Sequence, residues 1–456
     1  MAGIGFELRK LLRKDSLLGL VQAYAYAGVI GSGPWVLSIV GILAIGLLSA
    51  SLGASSHGVT QFQVSVTWLI ASSLILTGGV QLAFTRYVSD RLFEHKHDTV
   101  LPNLHGVLCL VLMAAGTLAT GLAFTAFAGE SVLYRLLMIA GFTQLCAIWV
   151  LTIFLSGLKR YRAILAMYAL GYGITVGAAL LASNWALEGL LAGFVLGHFA
   201  LLCGMWWLTV RSFSATEAVR FDFLKPQHRY PSLLIIGVLY NLAVWADKLV
   251  FWFYPDTSAA IIGPLRASVI YDLPVFMAYL FIIPGMAVFL VRIETDFVDY
   301  HERFYTAVRE GGSLETIESM RDEMVLAIRQ GFAEIGKIQT LALLAAIIVG
   351  PTVLAALGIS ALYLPLFHIQ TLGASLQVGL LALLNVFFYL DQRALVLRLC
   401  ALLCVSNLAL TALSLQLGAA FYGYGYAAAV LLTLLYGLFA LDRKLHRLEY
   451  ETFMLR

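Results

Sequence analysis

Asp247 and Lys248 are the residues of this chain hardest to explain as simple packing, because they stand side by side inside the apolar run Pro231 to Tyr254. Counted from Pro231 at 1.5 Å per residue, they lie about 24 Å along a helix, in the outer half of a bilayer. Ionisable groups at that depth are costly in lipid and tend to face a cavity, a counter-charge or a transport path. Neighbouring helical residues diverge by about 100°, so the two charges are expected not simply to neutralise each other within the helix. Tyr240 shares the face of Asp247, while Asn241 and Trp245 share that of Lys248. Such a polar and aromatic stripe can hold a sugar. The same residues also admit an interfacial belt, with Trp252 and Tyr254 as anchors and Lys248 snorkelling to the surface.

The next apolar run adds Tyr271, Asp272 and Pro274 just inside its outer end, with Arg266 before them and Pro284 deeper. Asp272 could pair with Lys248 or Arg266, either as a structural salt bridge or as a substrate or proton site. A proline in a spanning helix frees a carbonyl, so a bend is expected here. Near the start of the chain, Gly31, Ser32, Gly33 and Pro34 interrupt an apolar run, which reads either as a hinge or as close helix packing. Glu188 and Arg135 fall near outer ends of other runs and can face water, Glu188 being also a candidate for the path, whereas His198 reads as a packing residue. All five cysteines lie in apolar runs without metal-ligand spacing and read as packing residues. No Walker A loop, dinucleotide fingerprint, HExxH or GxSxG is present, so neither an enzyme nor a cofactor or metal is expected.

The elements that position these residues must be membrane-spanning helices. Apolar residues make up 61% of the chain and charged residues 12%, with a mean hydropathy of +0.89. A globular chain carries roughly 25% charged residues, so most of this surface has lipid as its solvent. Twelve runs of spanning length follow one another, the first of them, Leu17 to Ala50, too long to cross straight. Read this way, 26 of the 29 Lys and Arg residues face one side, and the exceptions are Arg135, Lys248 and Arg266. Basic loops resist translocation, so that side is the cytoplasm and both termini lie there. The charge pattern is topological and gives no support for nucleic-acid binding.

The expected organisation is an interfacial amphipathic helix over 1–16, not a cleaved signal peptide, then a first lobe of six spans over 17–211. A cytoplasmic linker, 212–230, leads to a second lobe of six spans over 231–441, and a cytoplasmic tail covers 442–456. Arg86 and Asp90 recur as Arg292 and Asp296, and Arg162-Ala163 as Arg393-Ala394, at matching places in the two halves. That points to a parallel repeat with the path between lobes. Within the loop 292–337, Ile317, Met320, Met324, Ile328, Phe332 and Ile335 recur at helical spacing. This predicts an amphipathic helix, serving as an elbow into the ninth span or as a dock for a cytosolic partner.

The opening MAGIGFELRKLL, the following AYAYAGVIGSGPWVLS, the twelve spans and the length resemble the PelG family of bacterial inner-membrane exopolysaccharide transporters. That resemblance extends to the multidrug/oligosaccharidyl-lipid/polysaccharide flippase superfamily. It implies an all-α integral membrane protein of twelve helices in two six-helix lobes, V-shaped around a cavity that opens alternately to each side. It further implies export of a biofilm-matrix polymer rich in N-acetylgalactosamine, partly deacetylated and cationic. The implied partners are a PelF-like cytosolic glycosyltransferase, a PelD-like membrane protein that senses cyclic di-GMP and a PelE-like membrane protein. A polymer already cationic in transit would suit Asp247, Asp272 and Glu188, whereas neutral sugars would suit Tyr, Trp and Asn. Competing readings are a lipid-linked oligosaccharide flippase, an ion-coupled drug antiporter and a non-transporting scaffold of the synthase.

Overall fold

The computed structural model describes residues 17–51, 55–158, 160–215, 217–356, 360–448, 450 and 453. The expected interfacial helix over 1–16 lies outside the described residues. In lipid no water is available to bond backbone N–H and C=O groups, so long apolar runs close their hydrogen bonds internally as helices. The helices are α1 (Leu17–Ser51), α2 (Ser56–Phe93), α3 (Val100–Thr125), α4 (Val132–Gly157), α5 (Tyr161–Leu181), α6 (Ala186–Val210) and α7 (Pro231–Phe253). A two-stranded antiparallel hairpin, β1 (Ala259–Ile262) and β2 (Leu265–Ala267), follows. The chain continues through α8 (Val269–Leu280), α9 (Ile283–Val291), α10 (Val298–Arg309) and α11 (Leu314–Ala356). It ends with α12 (Leu364–Tyr389), α13 (Arg393–Leu417) and α14 (Tyr424–His446). Ten of the described helical stretches can each span a membrane alone, and two bent pairs complete twelve spans.

Local sequence sets several of the boundaries. Ser55 and Ser131 cap α2 and α4 by accepting hydrogen bonds from the backbone N–H of Gly58 and Tyr134, both at 3.1 Å. The eighth span is a bent pair in which α8 meets the stretch Ile283–Arg309, running through α9 into α10, at 41°. Pro284 sits in the first turn of α9, so the Leu280 carbonyl has no N–H four residues on. The chain between the helices tightens into bonds from Phe281 N to Ala278 O at 3.1 Å and from Ile282 N to Tyr279 O at 3.4 Å. Pro274 is buried inside α8, which continues through it.

The chain divides into two compact units, residues 34–269 and residues 1–33 with 270–456. The expected lobes meet at the linker 212–230; the compact units instead divide within α1 and after the β-hairpin, so α7 belongs with α2 to α6. The reason is a close crossing. Gly78 and Gly79 on α2 lie against the backbone of Leu234 and Gly237 on α7, and an added Cβ at Gly78 would stand 2.6 Å from the Gly237 carbonyl oxygen. Small residues that let backbones approach drive helix association in lipid. Hydroxyl bonds between helices add to this, with Ser65 Oγ 3.0 Å from Tyr134 OH and Trp149 Nε1 donating to Ser73 Oγ at 2.9 Å.

The linker 212–230 is fastened to the same unit. Arg220 N donates to Pro102 O at 2.9 Å, Asp222 N donates to Asn103 Oδ1 at 2.7 Å, and Tyr230 OH bonds Asp90. The Lys225 ammonium, 2.5 Å from Asp222, holds that carboxyl below the usual carboxylate range. In the other unit, the first part of α1 packs on α9, because Gly28 faces Ile283 and Ala287, and Gly31 leaves room only for Leu290. Gly31 is therefore a position of close packing, while the division between units falls at Gly33–Pro34.

Candidate functional site

Asp247 and Lys248 correct the expectation drawn from helical geometry. Lys248 Nζ lies 3.1 Å from Asp247 Oδ1 and 3.2 Å from Oδ2, and also donates to Val244 O at 3.0 Å. Cα–Cβ directions differ by about 100°, yet the four-carbon lysine stem is long enough to fold back around the helix. Burial favours that folding. The Asp247 side chain is 0% exposed and that of Lys248 3%, and two charges removed from water are far less costly paired than apart. Lys248 does not snorkel. Its ammonium stands 6.0 Å from the centroid of the Trp245 ring, which is itself buried. Tyr240 and Asn241 are half-buried one to two turns earlier, with Asn241 Nδ2 donating to Gly237 O at 2.9 Å beside the glycine crossing.

Trp252 likewise is no interfacial anchor. It is 1% exposed, with its ring 4.6 Å from Trp68 of α2 and 6.0 Å from Trp245. Trp68 Nε1 donates to Arg266 O at 2.8 Å. The Arg266 guanidinium turns to the end of α7, donating through Nε to Trp252 O at 3.0 Å and to Ser258 Oγ at 3.0 Å. Trp68 gave no signal in the sequence beyond its place early in the second span. Its role depends on the α2–α7 crossing, which sequence reasoning did not anticipate. Arg266 therefore caps the helix that carries Asp247 and Lys248. Glu188 stands apart from them. It lines a cavity of about 250 Å³ with His57, Gln61, Glu130 and Tyr134, and accepts from Ser131 Oγ at 2.9 Å.

The remaining candidates belong to the second unit. Asp272 is half-buried in the first turn of α8. Tyr271 is fully buried and accepts from Gln370 Nε2 at 2.6 Å. Seven residues along α12, Gln377 Oε1 accepts from Tyr279 OH at 3.0 Å and from Tyr426 OH at 2.5 Å. Sequence reasoning missed this ladder. Its signal was present: two amides at i and i+7 inside an apolar run occupy one helix face, and Tyr271 and Tyr279 are spaced to match.

A second cluster was also missed because its acid falls in the charged loop. Glu294, on the π-helical turn Arg292–Phe297, bonds Asn385 and accepts from Tyr389 OH at 3.0 Å. Asn385 and Tyr389 share one face of the end of α12. Between α10 and α11, Phe304, Ile317, Met324 and Ile328 are buried, whereas Met320 and Phe332 are half-buried.

Together the apolar helices define a twelve-span, all-α membrane protein with Tyr, Gln and charged groups set among its helices. Its fold is similar to that of an outward-facing multidrug resistance MATE family transporter of the MOP superfamily, with a TM-score of 0.64 at 14% identity over 93% of this chain and 96% of that one. A MATE protein in its bent conformation gives 0.63 at 15% identity over 96% and 98%. A MOP superfamily transporter from Pyrococcus furiosus gives 0.60 at 14% identity over 93% and 96%. Identities this low carry the fold alone. No curated protein matches the chain. Residues 1–453 match the family model described as "PelG: Putative exopolysaccharide Exporter (EPS-E)", and the chain belongs to that family. It is a multi-pass membrane transporter of exopolysaccharide.

Proposed function

We propose that this protein passes a growing exopolysaccharide outward through the bacterial inner membrane, with both termini in the cytoplasm, as part of a biofilm-matrix synthase complex. A PelF-like glycosyltransferase would supply the polymer, with PelD-like and PelE-like membrane proteins as further partners. Gly33, Pro34, Pro274 and Pro284 are the hinge positions in this reading, with Gly31 packing beside them. The observation that carries it is the row of buried Tyr271, Gln370, Tyr279 and Tyr426 around half-buried Gln377 within apolar helices of an exporter-family chain. Phenols and primary amides both donate and accept, so they can exchange bonds with one another for bonds with successive sugar hydroxyls. Charge is a poorer guide, because the Asp247 carboxylate already holds Lys248. A neutral sugar therefore fits the enclosed groups better than a cationic one, and deacetylation belongs after transit.

Replacing both Gln370 and Gln377 with Leu tests this. Interhelical hydrogen bonds in membranes are worth only about 0.6 kcal/mol each on average, so the chain should still insert and accumulate. Secreted polymer, measured in cells lacking the native exporter, is expected to fall about tenfold or more as two sugar-exchanging groups are lost. Parental secretion from the double variant would reduce the ladder to packing.

A further inference from the structure

The connection between the eighth and ninth spans is much longer than two antiparallel helices need, since such connections are commonly about 2–8 residues. Helix α11 runs unbroken over Leu314–Ala356. Its apolar span begins near Ile338, so residues 314–337 extend about 36 Å beyond it. Helix α10, the continuation of α9, lies alongside, and the pair is sealed by buried Phe304, Ile317, Met324 and Ile328. The base is fixed in three ways. Arg292 holds Glu334 through two bonds of 2.6 and 2.7 Å, it holds Asp296 at 2.8 Å, and His301 Nε2 stands 3.1 Å from Tyr389 O of α12. This makes a stiff arm rather than a slack loop.

Its charge opposes that of its surroundings. Residues 302–323 hold six Asp and Glu against three Arg, whereas the side on which the arm lies otherwise collects the basic residues. Among the described residues Glu302, Glu310, Glu315, Glu318 and Glu323 take part in no ion pair. Glu315, Glu318, Asp322 and Leu326 follow one another along the outward row of α11, and Leu326 is 54% exposed. An anionic leaflet repels such a face, so it is not built to lie on lipid.

We propose that the α10–α11 arm docks a cytosolic glycosyltransferase through a basic surface on that enzyme, with Leu326 as the apolar centre of the contact. The inference rests on the exporter reading for its partner, because a polymer too large to diffuse freely must be received where it is made. Charge complementarity would speed encounter and set the orientation of the enzyme.

The test uses the full chain in native membranes, with a photo-reactive residue at Ser319 and the epitope-tagged glycosyltransferase of the same export system as the probe. The parent chain is expected to form an adduct with the enzyme, and E315K/E318K/E323K to reduce it about tenfold at unchanged chain abundance. The neutral set E315Q/E318Q/E323Q should fall between them, and added salt should weaken the parental adduct. Adducts to lipid alone, or an equal yield from the lysine variant, would overturn the proposal. Polymer secretion measured in parallel separates the two readings. Secretion without an adduct sinks the docking arm and spares the exporter; an adduct without secretion does the reverse.

Discussion

Asp247→Asn alone is expected to cost about 3–5 kcal/mol of stability, because it removes the counter-charge that Lys248 touches at both oxygens in a fully enclosed site. Lys248→Met should be equally damaging for the mirrored reason, a buried carboxylate stripped of its ammonium. The double variant D247L/K248M behaves differently. Replacing a whole buried ion pair with apolar groups of similar size is often neutral or stabilising, so thermal unfolding in detergent should return to within about 1 kcal/mol of the parent. Secretion then separates structure from function. If the pair lines the path, the double variant is stable yet exports poorly; if the pair only holds α7 in place, export returns with stability.

Gly78→Ala should be strongly destabilising. The new Cβ would meet the Gly237 carbonyl oxygen at 2.6 Å, and backbone cannot swing aside as a side chain can. Forcing α2 and α7 apart would also disturb the bond from Trp68 Nε1 to Arg266 O and the Trp68–Trp252 contact. The expected loss is about 3 kcal/mol, the upper range for overpacking. Gly177→Ala is the control, because a Cβ there meets nothing within 4 Å. It should be neutral or stabilise by about 0.5–1 kcal/mol, as an added methyl does at an open helical glycine. Equal unfolding midpoints for the two variants would show that the crossing carries no weight.

What the sequence made legible follows from one-dimensional physics. Twelve spans and their alternation can be read from hydropathy and from where Lys and Arg stop, since lipid imposes both locally. The helical period from Ile317 to Ile335 likewise announced α11. Pairing was not legible. Helical geometry separates Asp247 from Lys248, and only the reach of the lysine stem and the loss of solvent join them. Assignment of α7 was hidden for a similar reason. Gly78, Gly79 and Gly237 look unremarkable singly and matter only where two backbones meet. Gln370 and Gln377 carry no charge to mark them in an apolar run, although an amide in lipid needs a partner as surely as an acid does. Glu294 escaped because a carboxylate at the edge of a charged loop looks solvated, while Asn385 and Tyr389, 91 and 95 residues away, hold it.

The most direct test of the central claim is reconstitution of the purified chain in liposomes with the polymer-forming glycosyltransferase and its nucleotide sugar supplied outside. Luminal polymer, protected from an added glycoside hydrolase, is measured against liposomes lacking either protein. Export predicts protected polymer only when both proteins are present. Polymer that stays fully digestible, beside a chain that still moves a small cationic dye unaided, would contradict it.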